Sequence, residues 1–197
     1  EDAVRTAVTE FAARVRVAPR LANTLTPKWV LVSKSGTGRV AWDAVLCEAL
    51  GLPTELGELP LRRAAGEVAV RESGLPYAVV RPCGVSEDVP RGRVVLASGD
   101  VAVGQVAAED TAAVLAHILT EEAATWKTFE LLGVPGLPPQ EISSPLASLP
   151  LDSEGLSYTT AFSVLQQLRT DSGKVPAISP ERALQFVNRA KGSTAKR

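Results

Sequence analysis

The chain has 197 residues, of which 45% are hydrophobic and 22% charged, with a formal net charge of -1. These proportions exclude a disordered or fibrous protein and allow one core of about 100 to 150 residues plus a tail. With Lys and Arg spread along the chain there is no electrostatic footprint for nucleic acid, and the basic end from Arg189 to Arg197 reads as a solvated tail.

No apolar run approaches the roughly 18 residues of a membrane span, and no secretory or transit peptide is legible. The two cysteines, Cys47 and Cys83, lack metal-type spacing, which predicts no metal site and fits a reducing compartment. The chain begins with Glu and contains no Met, as expected of a processed product or a segment of a longer polypeptide.

In chain order, Glu1 to Val17 is expected to form an amphipathic helix with Val4, Ala7, Val8, Phe11 and Val15 on one face. Trp29-Val30-Leu31-Val32 reads as a strand and Val40 to Leu50 as a helix in which Cys47 packs as a small apolar residue. Between them, Gly36 to Ala41 fits G-x-G-x-x-A, a pattern that can cradle phosphate. The helix is followed by GLPTELGELP, with no strand and no acidic residue closing one, so an ordinary loop after a strand is the better reading.

From Leu61 a second amphipathic helix is expected, with Leu61, Ala64, Ala65, Val68 and Ala69 inward and Arg62, Arg63, Glu67, Arg71 and Glu72 outward. Ser73-Gly74 stops it, and Tyr77-Ala78-Val79-Val80 is an apolar run suited to a strand covered on both faces. Ligands bind at the carboxyl ends of such strands, which draws attention to the residues just after Val80. A helix from Thr111 to Leu119 follows, with His117 as a satisfied structural histidine and Glu109 and Asp110 as capping and dipole-compensating carboxylates.

VPGLPPQEISSPLASLP then carries five prolines and reads as an extended connector. Beyond it, Tyr158, Phe162, Leu165 and Leu168 recur at helical spacing, and Ser179-Pro180 opens a further helix with Leu184 and Val187 on one side. Two short amphipathic helices cannot bury their apolar faces alone and are expected to dock.

The stretch LRRAAGEVAVRESGLPYAVVRPCG resembles the atypical and extended short-chain dehydrogenase/reductase family, in which a helix ending in ESGL leads to a strand reading YTVVRPG. GRVVLASGDVAVGQVAAEDTAAVLAHIL is similar to that family's short strand, loop and helix, WKTFELLG to its last strand, and PKWVLVSKSG to the strand bearing its active-site serine. The likeness covers Thr24 to Gly133 in the right order.

It implies an α/β, parallel-sheet, Rossmann-like fold of the short-chain dehydrogenase type, here as a partial domain with a C-terminal helical tail, because no glycine-rich opening unit precedes Thr24. Residues 1–133 would be the second half of an NAD(P)-binding domain, 134–156 a Pro-rich connector and 157–197 a helical docking tail.

The resemblance also implies the site. The family's tyrosine and lysine, which transfer a proton and hold the ribose, fall at Leu59 and Arg63, and its serine at Ser33. Leucine cannot transfer a proton, and arginine is no equivalent of lysine there. Only Ser33 remains as a catalytic candidate, and a lone serine after a strand is more often bonded to nearby backbone. Residues implied to approach NAD or NADP are Ser33, Arg63, Arg81, Pro82, Cys83 and Gly84; as a nucleophile Cys83 lacks a histidine nearby in sequence.

The reading is of a catalytically degenerate NAD(P)-binding-fold protein serving as a structural, assembly or stabilising component of a larger complex. An active NAD(P)H-dependent reductase or isomerase and an NADPH-sensing regulator are the alternatives. Protein partners, no nucleic acid and no transmembrane segment are expected, in an organellar matrix or stroma or alternatively the cytoplasm.

Overall fold

A computed structural model describes residues 2–17, 28–38, 58–100 and 102–154. The helix expected over 40–50, Cys47, and the docking tail over 157–197 lie outside the described residues.

The elements are α1 (Asp2–Val17), β1 (Trp29–Val32), α2 (Glu58–Glu72), β2 (Tyr77–Pro82), β3 (Gly84–Ser86), β4 (Gly92–Ala97), β5 (Gln105–Ala107), α3 (Ala108–Ile118), β6 (Lys127–Pro135) and α4 (Ser143–Ser148), with single 3-10 turns at Glu122–Ala124 and Asp152–Glu154. The main sheet has the order β1-β2-β6-β4. Its first three strands are parallel, with Trp29 opposite Tyr77 and Val80 opposite Phe129, and β4 closes the far edge antiparallel. The expected strands Trp29 to Val32 and Tyr77 to Val80 are thus parallel neighbours. A separate two-stranded parallel sheet joins β3 to β5.

The period-2 alternation of strands sorts the core into two layers. Ala78, Val80, Phe129 and Leu131 pack on one face against Val114 and Ile118 of α3 and Leu146 of α4. Tyr77 and Val79 pack on the other against Val8 and Ala12 of α1 and Val70 of α2. Phe129, Ile118 and Leu146 are fully buried, each contributing about 1.5–3 kcal/mol of transfer free energy.

Three expectations need correction. In α1 the buried residues are Val8 and Ala12, while Ala7 is exposed. The helix α2 forms and ends as read, with the Ser73 hydroxyl donating to the Val70 carbonyl (2.7 Å) and Gly74 taking the left-handed φ of +69°. Its inner face is turned, however. Leu61 and Val68 are 55% and 43% exposed, whereas Glu67 is only 1% exposed beside the buried Val70. A charged partner on the sheet, described below, draws Glu67 inward.

The third concerns the connector, which is not simply extended. Strand β6 runs on to Pro135, and Ser143–Ser148 is helical with Ile142 and Leu146 in the core. Pro145 is tolerated because the first-turn N–H groups of a helix have no intrahelical acceptor. The buried Lys127 ammonium donates to the carbonyls of Leu146 (2.7 Å) and Ala147 (3.4 Å) and so caps the far end of α4. We expect Leu146→Ala to cost about 2–5 kcal/mol in urea unfolding; a loss below about 1 kcal/mol would mean that α4 is not part of the core.

Candidate functional site

The polar residues of the fold gather beside the carboxyl ends of β1 and β2. The loop after β1 continues the sheet, with the Ser33 amide donating to the Val80 carbonyl (2.7 Å) and the Ser35 amide to that of Pro82 (3.0 Å). Arg81, second from the end of β2, has alternation that turns it toward α2 and away from the Val80 layer. There the Arg81 guanidinium meets Glu67 in a bidentate pair, Nε to Oε1 at 2.9 Å and Nη2 to Oε2 at 2.6 Å. Both residues are almost wholly removed from water.

Burial opposes the charge on Glu67, but the two Arg81 hydrogen bonds, the Arg81 charge and the charge of Arg71 outweigh it, so its pKa lies below the ordinary value. Arg81 is likewise held above its ordinary value, burial being overcome by Glu67 and by the Asp100 and Glu130 charges.

The network extends both ways from this pair. Toward the amino ends of the strands, Arg71 donates to Glu67 (2.9 Å), to the Thr128 hydroxyl (2.9 Å) and to Asp152 (3.2 Å). Asp152 also accepts from the Tyr77 hydroxyl (2.8 Å), the Thr128 amide (2.7 Å) and the Thr128 hydroxyl (2.6 Å). Toward the carboxyl ends, the Asp100 carboxylate lies 3.8 Å from Arg81 and accepts the amides of Gly36 (2.6 Å) and Gly38 (2.5 Å). Glu130 of β6, fully buried, accepts from the amides of Asp100 (2.9 Å) and Ala102 (3.4 Å). Burial and the neighbouring Asp100 charge push its carboxyl up to about 7. A cavity of about 270 Å³ adjoins the network, lined by Gly38, Arg71, Arg81, Ser98, Asp100 and Asp152 among others.

This geometry places the residues singled out by sequence. The Ser33 hydroxyl lies 3.3 Å from the Thr37 hydroxyl, whose own proton is directed at the Lys34 carbonyl. The Ser33 hydroxyl is therefore the donor of that pair, and its proton is held by protein. Leu59 lies in the first turn of α2 and Arg63 is half-buried one turn on. Arg81 is engaged by Glu67. Pro82 and Cys83 are buried, the Cys83 amide donating to Leu131 (2.9 Å) and that of Gly84 to Gly104 (2.9 Å).

The glycine-rich loop behaves as a loop tied to protein: a carboxylate already occupies the amides of Gly36 and Gly38. A Cβ on Gly38 would sit 2.7 Å from Arg81 Nη1, so the close approach of this loop requires glycine. Tyr77, the tyrosine among the described residues, bonds Asp152 and not Ser33.

Among the remaining candidates, His117 sits near the end of α3, its side chain 41% exposed, with Nε2 3.0 Å from the Ser143 hydroxyl and 3.4 Å from Glu121. It is thus a satisfied histidine, but at the surface. Asp110 is no cap for α3; it is buried and accepts from the Gly92 amide (2.8 Å) and Arg91 Nε (2.9 Å), pinning the start of β4. Glu109 is exposed in the first turn of α3.

Sequence reasoning missed Glu67, Asp100, Glu130 and Asp152. For Glu67 a signal existed, because it lies four residues after Arg63, the position that the resemblance assigns to the family's lysine, and so on the same side of the helix. For the others, each meets its partners only through the tertiary fold.

Among the described residues, no group of three or more His, Cys, Asp or Glu side chains is arranged to hold a metal, and no helix is long and apolar enough to cross a membrane. The described residues at the strand ends do not fit the phosphates of a dinucleotide. The amides of Gly36, Gly38, Cys83 and Gly84 and the Arg81 guanidinium all have protein acceptors.

No protein-family profile matches the chain. An uncharacterized chloroplastic protein of Arabidopsis thaliana is 27% identical over 123 residues, 62% of this chain and 44% of that protein. A solved structure from Bacillus halodurans, named as a candidate NAD-dependent epimerase/dehydratase, superposes with a TM-score of 0.52 at 20% identity, over 74% of this chain and 58% of that one. A short-chain dehydrogenase/reductase from Veillonella parvula in complex with NADP aligns with a TM-score of 0.42 at 19% identity, over 54% of this chain and 50% of that one. The chain therefore spans about half the length of these proteins. The likeness to the Bacillus structure shows the fold, which is Rossmann-like as the sequence resemblance implies.

Two outcomes follow from the network. Glu67→Gln leaves Arg81 buried beside a neutral amide and should cost about 3–5 kcal/mol in denaturant unfolding; a cost under about 1 kcal/mol would show the pair to be solvated. Glu130, raised to about 7 when folded, binds its proton more tightly in the native chain than in the unfolded one. Its contribution is therefore complete below the ordinary value of 4.5 and is lost as pH rises through about 7. Unfolding free energy measured from pH 4.5 to 8 should decline more steeply in the wild type than in Glu130→Gln; parallel curves would contradict the assignment.

Proposed function

We propose that this chain is a catalytically degenerate protein of NAD(P)-binding fold that acts as a structural, assembly or stabilising component of a larger complex. The observation that carries the reading is the capture of Arg81 by Glu67, with the Ser33 hydroxyl turned to Thr37. An orienting serine must direct its proton at a substrate carbonyl, and a cofactor-facing arginine must present its fork to a ligand. Here Arg81 is directed at a buried carboxylate of the same chain and Ser33 at a neighbouring hydroxyl, and the positions that resemblance assigns to the proton-transferring tyrosine and its lysine hold Leu59 and Arg63.

Binding a nucleotide without chemistry is the separate, nucleotide-sensing reading. Arg63, Pro82, Cys83 and Gly84 are positions that the resemblance would bring to a nicotinamide, and there they would act as wall more than as donors. The chloroplastic relative supports an organellar location, and organellar partners are proposed on that basis.

The test offers the full chain NADPH or NADH with a panel of aldehydes and ketones while absorbance at 340 nm is followed. We expect no cofactor oxidation above background in either the wild type or Ser33→Ala. Turnover abolished by Ser33→Ala would overturn the proposal in favour of a reductase. Micromolar NADPH binding by calorimetry without turnover, coupled to a cofactor-dependent change in partner affinity, would replace it with the nucleotide-sensing reading.

A further inference from the structure

The charged network commits most of its hydrogen-bonding groups to protein, and the groups it leaves over line one cavity. That space of about 270 Å³ lies between the loop carrying Ser98 and Asp100 and the turn carrying Leu151 and Asp152, with Thr128 of β6 in its wall. At about 30 Å³ per water it has room for about nine waters, or one molecule of about as many heavy atoms. Ser33, Leu59 and Arg63 do not line it, so what it holds is a question separate from the nicotinamide position.

Ser98 is the first of these groups. It is only 3% exposed, yet among the described residues its hydroxyl has no hydrogen-bond partner. A buried hydroxyl is nearly always bonded, so one that lines a cavity points to a partner supplied from within that cavity. Arg71 is the second. Its Nε is directed at Asp152 (3.2 Å) and its Nη2 at Glu67 (2.9 Å) and the Thr128 hydroxyl (2.9 Å), which leaves the Nη1 edge without an acceptor among the described residues.

Both groups donate, so the ligand must bring acceptor oxygens, and a carboxylate suits a guanidinium edge and a hydroxyl together. The charge of the walls adds a second condition. Arg71 and Arg81 stand against Glu67, Asp100 and Asp152, two cations against three carboxylates, and a simple anion is opposed. An ammonium on the same ligand removes that opposition. Asp152 can accept it, because among the described residues Oδ1 takes the Thr128 amide alone (2.7 Å) while Oδ2 takes three donors. Pro150 and the part-exposed Leu151 supply a short apolar wall. We propose that this cavity binds a small zwitterion, an α-amino acid with a short aliphatic side chain, its carboxylate on Arg71 Nη1 and the Ser98 hydroxyl and its ammonium on Asp152.

The experiment adds L-alanine or L-valine to the isotope-labelled full chain and follows the amide resonances of Gly38, Gly99 and Thr128. L-valinamide, which lacks the carboxylate, and N-acetyl-L-valine, which lacks the ammonium, are the controls. Saturable shifts at these three residues are expected with at least one of the two amino acids at a Kd of about 1 mM or below, and binding about tenfold weaker with either control. Ser98→Ala removes a hydroxyl that no described protein group uses, so it should leave the urea midpoint unchanged while weakening amino-acid binding about fivefold. No saturable shift with either amino acid up to about 10 mM, or controls that bind equally well, would overturn the proposal. A Ser98→Ala chain that binds as tightly as the wild type, or whose urea midpoint falls, would overturn it too.

Discussion

The bidentate contact between Glu67 and Arg81 is the constraint from which the rest of this fold follows. Neither charge could enter the interior alone, since an unpaired carboxylate or guanidinium in a low-dielectric region costs several kcal/mol. Together they form two parallel hydrogen bonds in the geometry that suits a planar fork. One partner is on a strand whose register is set by its neighbours on both sides, so the other fixes how α2 is rotated about its own axis. The exposure of Leu61 and Val68 is a direct consequence: placing Glu67 inward turns that stripe to the surface.

The pair also organises the polar atoms at the strand ends. Glu67 takes Arg71 as well as Arg81, Arg81 faces Asp100, Asp100 takes the amides of Gly36 and Gly38, and Glu130 takes the amides on either side of residue 101. In a nucleotide-handling site such donors face an empty crevice and await a ligand. In this chain they close on one another. Rigidity is the property this arrangement supplies.

Legibility in the sequence followed the range of the interactions. The strands at Trp29 and Tyr77 were readable because a doubly covered parallel strand must be an unbroken apolar run, and the Ser73-Gly74 stop because it is local chemistry. The orientation of α2 was not, because helical periodicity counts Glu67 as polar and therefore outward, and nothing within the helix announces a guanidinium fourteen residues on. Asp100 reaches back to Gly36 and Gly38 across more than sixty residues, and Asp152 to Tyr77 across seventy-five. Such partners are assigned by the fold alone. The helix Ser143–Ser148 escaped for another reason: proline content argues against a helix in general, but not at its first turn.

The measurement closest to the central claim is a carbon-detected NMR titration of the Glu67 side-chain carboxyl in the full chain, followed with and without NADPH. A carboxylate locked to Arg81 and Arg71 should titrate below the ordinary glutamate value and keep its chemical shift when the nucleotide is added. A midpoint at or above the ordinary value, or a resonance that moves with NADPH, would mean that Glu67 is not engaged by its neighbours, and that the polar groups at the strand ends are available to a ligand after all.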